Sequence, residues 1–243
     1  MTTPESDQVL AIIQDRHSTR APFDNNRTIP KEDLLQILEA ARWTPTAHNM
    51  QNFEIIVVDD DQKLDALSKI ESPISEVFIR ENYLQLSFSV EELRAKKTGI
   101  LGTFFPEFMQ HPDTPRDENE DEGTDNQAGL ISASSAFLVV VFDPSKRAPA
   151  SEGDFLGIIS LGCLMENMWL VAQSLGLAFH IVSDLVDDPA QSEARTILGI
   201  PEDLRIAFTA RLGYPLYPGD SLRVRRDITD FIHHDQYGNH DIE

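Results

Sequence analysis

The sequence predicts an α+β fold, and three observations carry that prediction. Short apolar, β-branched runs with strand character alternate irregularly with amphipathic helical segments. One long segment, Phe155 to Leu175, is apolar nearly all round and must be covered on most sides, by its own domain or by a partner. No internal repeat and no flexible linker separates two cores, so the 243 residues read as one domain spanning 1–243.

The elements follow in order. Val9 to Gln14 puts apolar side chains on one face of a short helix that leads into Arg16-His17-Ser18-Thr19-Arg20, with Pro22 beyond. Pro30 opens the next helix, Glu32 and Asp33 suit its first turn, and Thr44-Pro45 stops it. After a polar loop from Thr46 to Asn52, Phe53 to Val58 reads as a strand. Gln62 to Phe108 reads as mostly helical, interrupted at Pro73 and around Gly99 to Gly102. A hydrophilic stretch at about 111–127 is longer than an idle loop, and reads either as a mobile surface insertion or as a lid. Ala136 to Phe142 is a second strand, fully buried in character, and the long apolar helix ends at Gly176. Leu177 to Val182 and Ile206 to Leu212 are further strands around a helix at Pro189 to Leu198. From about 218 an extended polar tail begins, basic at Arg223-Val224-Arg225-Arg226 and then acidic with histidines.

Composition narrows the function. A formal charge of −21 and a pI near 4.5 argue against a nucleic-acid binder, because phosphate backbones need a basic surface. The acidity also hints at a high-salt host, although acidic surfaces are a common route to solubility. The single cysteine, Cys163, forms no intramolecular disulfide and reads as an inert thiol in an apolar stretch. The polar first residues do not resemble a signal peptide, and the longest purely apolar run, Ala136 to Phe142, is too short to span a bilayer. The expectation is a soluble cytoplasmic protein that contacts neither nucleic acid nor membrane.

The usual catalytic motifs are missing: no G-x-S-x-G elbow, P-loop or G-x-G-x-x-G turn occurs. His233, His234, Asp235 and His240 suit a solvated tail better than a metal site, so no metal is expected. His180, inside a strand, reads as a core or rim histidine. What stands out on so acidic a chain is arginine in turns: Arg16 and Arg20 near the start, Arg223, Arg225 and Arg226 near the end. Arginines placed where no helix face requires them suit an anionic ligand such as a phosphate, or else ordinary surface ion pairs. Ser18, Thr46, Asn49 and Gln51 add hydroxyls and amides in two loops. The residues alone lead to an anion-binding α+β domain.

The run Arg16-His17-Ser18-Thr19-Arg20 with Pro22-Phe23 resembles the opening motif of the FMN-dependent nitroreductase family. Thr44-Pro45-Thr46-Ala47-His48-Asn49-Met50-Gln51-Asn52-Phe53 resembles its second motif, a small-polar loop before a strand. The helix at Phe155 to Leu175, Gly176-Leu177, Leu198-Gly199-Ile200-Pro201 and Leu212-Gly213-Tyr214-Pro215 resemble its second half. The resemblance implies a nitroreductase-like FMN-binding fold: a central, mostly antiparallel sheet flanked by helices, in an obligate homodimer. It implies non-covalent FMN, with NADH or NADPH reducing it in a ping-pong cycle before a small-molecule acceptor such as a nitroaromatic or quinone enters.

By the same resemblance, Arg16, His17 and Ser18 would hold the phosphate and ribityl side, with Arg20 at the ring edge where negative charge develops on reduction. Thr46, Ala47, Asn49 and Gln51 would come mostly from the other subunit. Backbone at Ile181, Val182 and Ser183 would approach the ring, and Arg223 and Arg225 would complete the phosphate clamp. No side chain is expected to act as a catalytic acid or base, the chemistry being centred on the flavin. Ser183 and Asn52-Phe53 depart from the family's usual glycine and Pro-aromatic pair, which puts the backbone contact at Ser183 in doubt. Phe88, Phe104, Phe105 and Phe108 read either as core or as the lining of a flat substrate pocket. The resemblance also admits other chemistry on the same scaffold (azoline dehydrogenation, dehalogenation, oxygen-dependent flavin breakdown) or a non-catalytic flavin-binding protein.

Overall fold

The structure is a computed structural model and describes residues 3–24, 26–72, 77, 81, 86–101, 131–149, 153, 155–217 and 222–241. The acidic stretch 111–127 and Phe104, Phe105 and Phe108 lie outside the described residues. The chain divides into two compact units, one of Met1–Ser72 with Asn126–Gly219, the other of Pro73–Asp125 with Asp220–Glu243.

The first unit is built on a four-stranded sheet. Its helices are α1 (Pro4–Asp15), α2 (Lys31–Arg42) and α3 (Asp61–Ser68), and its first strand is β1 (Phe53–Val58). In the second unit, α4 (Val90–Lys96) lies between two-residue strands β2 (Ser87–Phe88) and β3 (Ile100–Leu101). Back in the first unit come β4 (Ala136–Phe142), α5 (Phe155–Ser174), β5 (Ala178–Val182), α6 (Ala190–Leu198) and β6 (Arg205–Gly213). The sheet order is β1-β4-β6-β5 and every pairing is antiparallel, as the resemblance implied.

Strand β4 explains the continuous apolar run in the sequence. Alternate residues of a strand point to opposite faces. Ala136, Leu138 and Val140 enter a core with Ile37 and Ala41 of α2 and Leu164, Met168 and Ala172 of α5. Phe137, Val139 and Val141 enter a second core with Leu64 and Leu67 of α3 and Ala190 and Ala194 of α6. A central strand covered by helices on both faces has no solvent side to mark with polar residues. A bulge opposite Val140/Val141 shifts the register of β6. Phe208, Ala210 and Leu212 therefore face the α2–α5 core, whereas Ile206 faces the other. Thr209 and Arg211 share that second face, and both are fully buried.

Helix α1 begins under a capping box in which Thr3 accepts from the Ser6 amide, with Pro4 in the first turn. It buries none of its residues, leaving Val9, Leu10 and Ile13 exposed. Helix α5 is long and apolar enough by composition to cross a membrane, yet its Leu164, Met168 and Ala172 are core residues of the sheet.

In the second unit, Ser89 and Glu92 form a capping box at the start of α4, and Lys97 after it pairs with Asp227. The sequence reads 62–108 as mostly helical; among the described residues, helix covers 61–68 and 90–96 and the single positions 77, 81 and 86. Two-residue strands such as β2 and β3 are too short to leave a period-2 pattern.

Gly213 ends β6 against Phe23. A Cβ there would lie 2.5 Å from Phe23 Cδ2 and 2.9 Å from Cγ. Gly213→Ala is expected to destabilise by about 1–3 kcal/mol through this overlap. Urea unfolding checks it, and a midpoint equal to wild type would show that the ring has room to move.

Candidate functional site

Residues 16–24 wrap around β5, an edge strand of the sheet. Arg16 caps α1 through its amide to the Ile12 carbonyl. Its guanidinium lies 4.4 Å above the Trp169 ring on α5, and Trp169 in turn stacks on Phe179 of β5 at 5.2 Å. The Thr19 amide donates to the Phe179 carbonyl, and Arg211 on the far face of the sheet donates to the Thr19 and Ala21 carbonyls. The segment continues beside 214–216, with Asp24 N to Tyr214 O at 2.8 Å and Leu216 N to Pro22 O at 3.0 Å. Loop 16–24 thus meets the free edge of β5 at Phe179.

Arg211 and His180 are direct cross-strand partners on β6 and β5. Arg211 Nε donates to His180 Nδ1 at 3.0 Å, and its guanidinium also stacks 4.0 Å from the Phe23 ring. Burial pushes the Arg211 pKa down to about 10, which leaves it charged at neutral pH. His180 is driven down to about 3 by burial first, then by the charges of Arg211 and Arg20, and so is neutral. Arg20 is exposed at the loop surface, with its own pKa lowered by partial desolvation. Ser18 is half-buried beside it, and His17 turns its Nδ1 back to the Asp15 carbonyl at 2.8 Å.

The second loop docks on another side of α5. Asn167 donates to Thr44 Oγ1 at 3.1 Å, and the Ala47 amide donates to Ser160 Oγ at 3.1 Å. Ser160 is buried, and its hydroxyl donates to the Leu156 carbonyl at 2.8 Å. Thr46 Oγ1 accepts from the Gln51 amide, and Gln51 Nε2 donates to Asn49 Oδ1 at 3.1 Å. His48, Asn49 and Gln51 all hold positive φ (54°, 54° and 46°), a conformation that costs energy in residues other than glycine. Neither the docking residues nor this strain is readable from the loop's own sequence, since glycine is absent from it.

At the end of β5, the Val182 side chain is buried and Ile181 packs on the α2–α5 core. The Val182 carbonyl accepts from Thr209 Oγ1 at 2.6 Å. Ser183 is exposed, and burial raises the neighbouring Asp184 carboxyl to about 6. Arg223 and Arg225 fall in the second unit; both are exposed, and Arg225 Nη1 donates to the Val224 carbonyl. Cys163 is free and half-buried, and no cluster of three metal-ligating side chains occurs among the described residues.

Two buried donors near Arg16 have no hydrogen-bond acceptor: Arg16 Nε and Trp169 Nε1. Glu166 Oε1 stands 3.3 Å from Arg16 Nε, an ion-pair distance without hydrogen-bond alignment. The outer Nη atoms of Arg16 make no hydrogen bond to the described residues. Orphaned donors of this kind mark a place that suits an anion or another strong acceptor.

A doubly covered antiparallel sheet with an arginine-bearing loop at its edge strand defines an α+β protein with a candidate anion site. The chain belongs to the nitroreductase family, whose profile matches residues 13–214. An "NADPH-dependent oxidoreductase" of Staphylococcus aureus (strain MRSA252) is 21% identical over 233 residues, covering 96% of this chain and 75% of that protein. An "NADPH-flavin oxidoreductase" of Vibrio harveyi is 30% identical over 120 residues, covering 46% of this chain and 48% of that one. Among solved structures, a nitroreductase with bound FMN from Bacteroides fragilis NCTC 9343 superposes with a TM-score of 0.58 at 23% identity, covering 94% of this chain and 99% of that one. An FMN-dependent nitroreductase from Clostridium difficile R20291 gives 0.58 at 17%, with coverage of 94% and 99%.

His180 sets an expected pH dependence. Unfolded, it takes up a proton near its ordinary value of 6.5, whereas folded it resists protonation down to about 3. Stability from this residue is therefore full above 6.5 and lost as pH falls toward 3, by at most about 1.4 kcal/mol per pH unit. The difference in unfolding free energy between wild type and His180→Asn, measured by urea from pH 7 to pH 4.5, should shrink with acid. A difference that stays constant would mean the imidazole is not held neutral.

Proposed function

We propose that the protein is an FMN-dependent oxidoreductase that uses NADH or NADPH to reduce electron-poor acceptors such as nitroaromatics or quinones. The observation that carries this reading is the Arg16 guanidinium, supported on Trp169 of α5 with its outer Nη atoms unbonded to the described residues, in the loop where the family resemblance puts the FMN phosphate. The names of the Vibrio harveyi and Staphylococcus aureus relatives, and the FMN in the Bacteroides fragilis structure, support cofactor and electron donor alike.

Arg16, Ser18 and the His17 backbone hold the phosphate and ribityl side; Arg20 presents its charge to the ring edge. The backbone of Ile181, Val182 and Ser183 borders the ring. Bound FMN would supply the redox chemistry that links nicotinamide to acceptor in the proposed ping-pong cycle. The chain's contribution is position and electrostatics: a fixed cation at Arg20 favours the negative charge that reduction places on the ring.

The working unit is a homodimer. Helix α1 exposes Val9, Leu10 and Ile13, and the first turns of α5 expose Phe155 (66%), Ile158 (60%) and Ile159 (46%). An apolar groove lined by Phe142, Leu161, Met165 and Phe208 opens beside Ile158. Such an expanse of apolar surface marks an association face. The two loops also dock on different sides of α5: at ~100° per residue, Ser160 and Asn167 lie on one side of the helix and Glu166 and Trp169 roughly opposite. Thr46, Ala47, Asn49 and Gln51 therefore meet a ligand of loop 16–24 most readily from a second copy.

Purified protein mixed with FMN should turn yellow and retain the flavin on gel filtration, and anaerobic NADPH or NADH should bleach it. Failure to bind FMN would sink the proposal. Arg20→Ala is expected to slow bleaching on the order of 10²-fold while weakening FMN binding less. Ile158→Asp should shift the protein from dimer to monomer in sedimentation velocity and lower FMN affinity with it; a dimer that persists would remove this face as the interface.

A further inference from the structure

We propose that His180 is a ligand-binding residue of this site: its Nε2–H donates to an acceptor atom of the molecule bound beside Arg20. Under the function proposed above, on which this inference rests, that molecule is FMN and the atom lies on the ring edge that Arg20 faces.

The tautomer follows from the partner. A guanidinium N–H only donates, so the His180 Nδ1 that receives Arg211 Nε at 3.0 Å must carry a lone pair. The ring proton of the neutral imidazole therefore sits on Nε2. Arg211 has little freedom to release it, since the same guanidinium also donates to the Thr19 and Ala21 carbonyls and stacks on Phe23.

Nε2–H is then an obligate donor, and it has no acceptor among the described residues. The residue is more than nine-tenths buried, with 7% of its surface open, and Nε2 is not among the unpartnered atoms sealed from solvent. A histidine satisfied by the fold would use both nitrogens; this one uses one and turns the other outward, close enough to Arg20 to feel its charge. A neutral donor next to a cation is a pair suited to a carbonyl oxygen or ring nitrogen that gains negative charge. Because the imidazole stays neutral across the working pH range, the donor does not switch off.

Nitrogen-detected NMR of the full-length protein, with the His180 signals assigned by their loss in His180→Gln, tests this directly. In the free protein Nε2 should be the protonated nitrogen and Nδ1 the bare one. Adding FMN to saturation should move the Nε2–H resonance and slow its exchange with water. Binding titrations supply the second arm. His180→Asn keeps an acceptor for Arg211 but removes the distal donor, and should weaken FMN two- to tenfold. His180→Gln carries an amide donor out to the Nε2 position and should lose less. An Nε2–H signal indifferent to bound FMN, or His180→Asn binding as tightly as wild type, overturns the inference while leaving the function intact. If FMN does not bind at all, both readings fall together.

Discussion

A fully buried arginine on a central strand is the constraint around which this site is organised. Placing a guanidinium inside a protein is costly unless nearly all of its donors are matched. Arg211 meets that demand with one imidazole nitrogen and two backbone carbonyls of loop 16–24, and covers its flat side with Phe23. Each partner is fixed in return. His180 is confined to one tautomer, the loop is held at Thr19 and Ala21, and Phe23 comes so close to the chain that only glycine is accommodated at 213. One buried charge thereby determines where Arg20 stands relative to the end of β5.

Helix α5 supplies the second organising element. Its apolar composition reads as a helix needing cover on every side, and the sheet covers only one. Two further sides carry polar residues at helical spacing: Ser160 and Asn167 hold the 44–51 loop, while Glu166, Trp169 and Gln173 meet the end of α1 and Arg16. The first turns remain exposed, and they are the face proposed above for a second copy. A single helix thus anchors two loops on different sides, and under the homodimer proposed above, dimerisation becomes a condition for assembling the site rather than an addition to it.

Much of this was legible in the sequence. Strands β1 and β4 and helix α5 are bounded as their β-branched runs and Gly176 require, because burial on both faces or all round leaves a simple apolar pattern. The pattern is weaker where tertiary contacts decide. His180 reads from sequence as a core or rim histidine and Arg211 as one more residue of a strand, since periodicity assigns a face and says nothing of what covers it. Only the antiparallel register of β5 and β6, which sets them opposite each other, makes them a pair. The left-handed residues 48, 49 and 51 were equally hidden: the loop carries no glycine to announce them, and their conformation depends on tethers to Ser160 over a hundred residues away.

The pairing of Arg16 with Glu166 leaves room, by its geometry, for the anion site proposed above. On a chain of net charge −21, a carboxylate near any arginine is expected, and a bidentate pair would occupy the fork that a phosphate needs. Glu166 instead approaches the inner Nε, at 3.3 Å and out of alignment, while Trp169 supports the guanidinium from below. The outer fork stays available, and a poorly aligned contact with a half-exposed carboxylate has little stability to lose. The acidic surface and the anion site proposed at Arg16 are thus compatible, because the carboxylate meets the arginine at its inner nitrogen and leaves the outer edge for the proposed ligand.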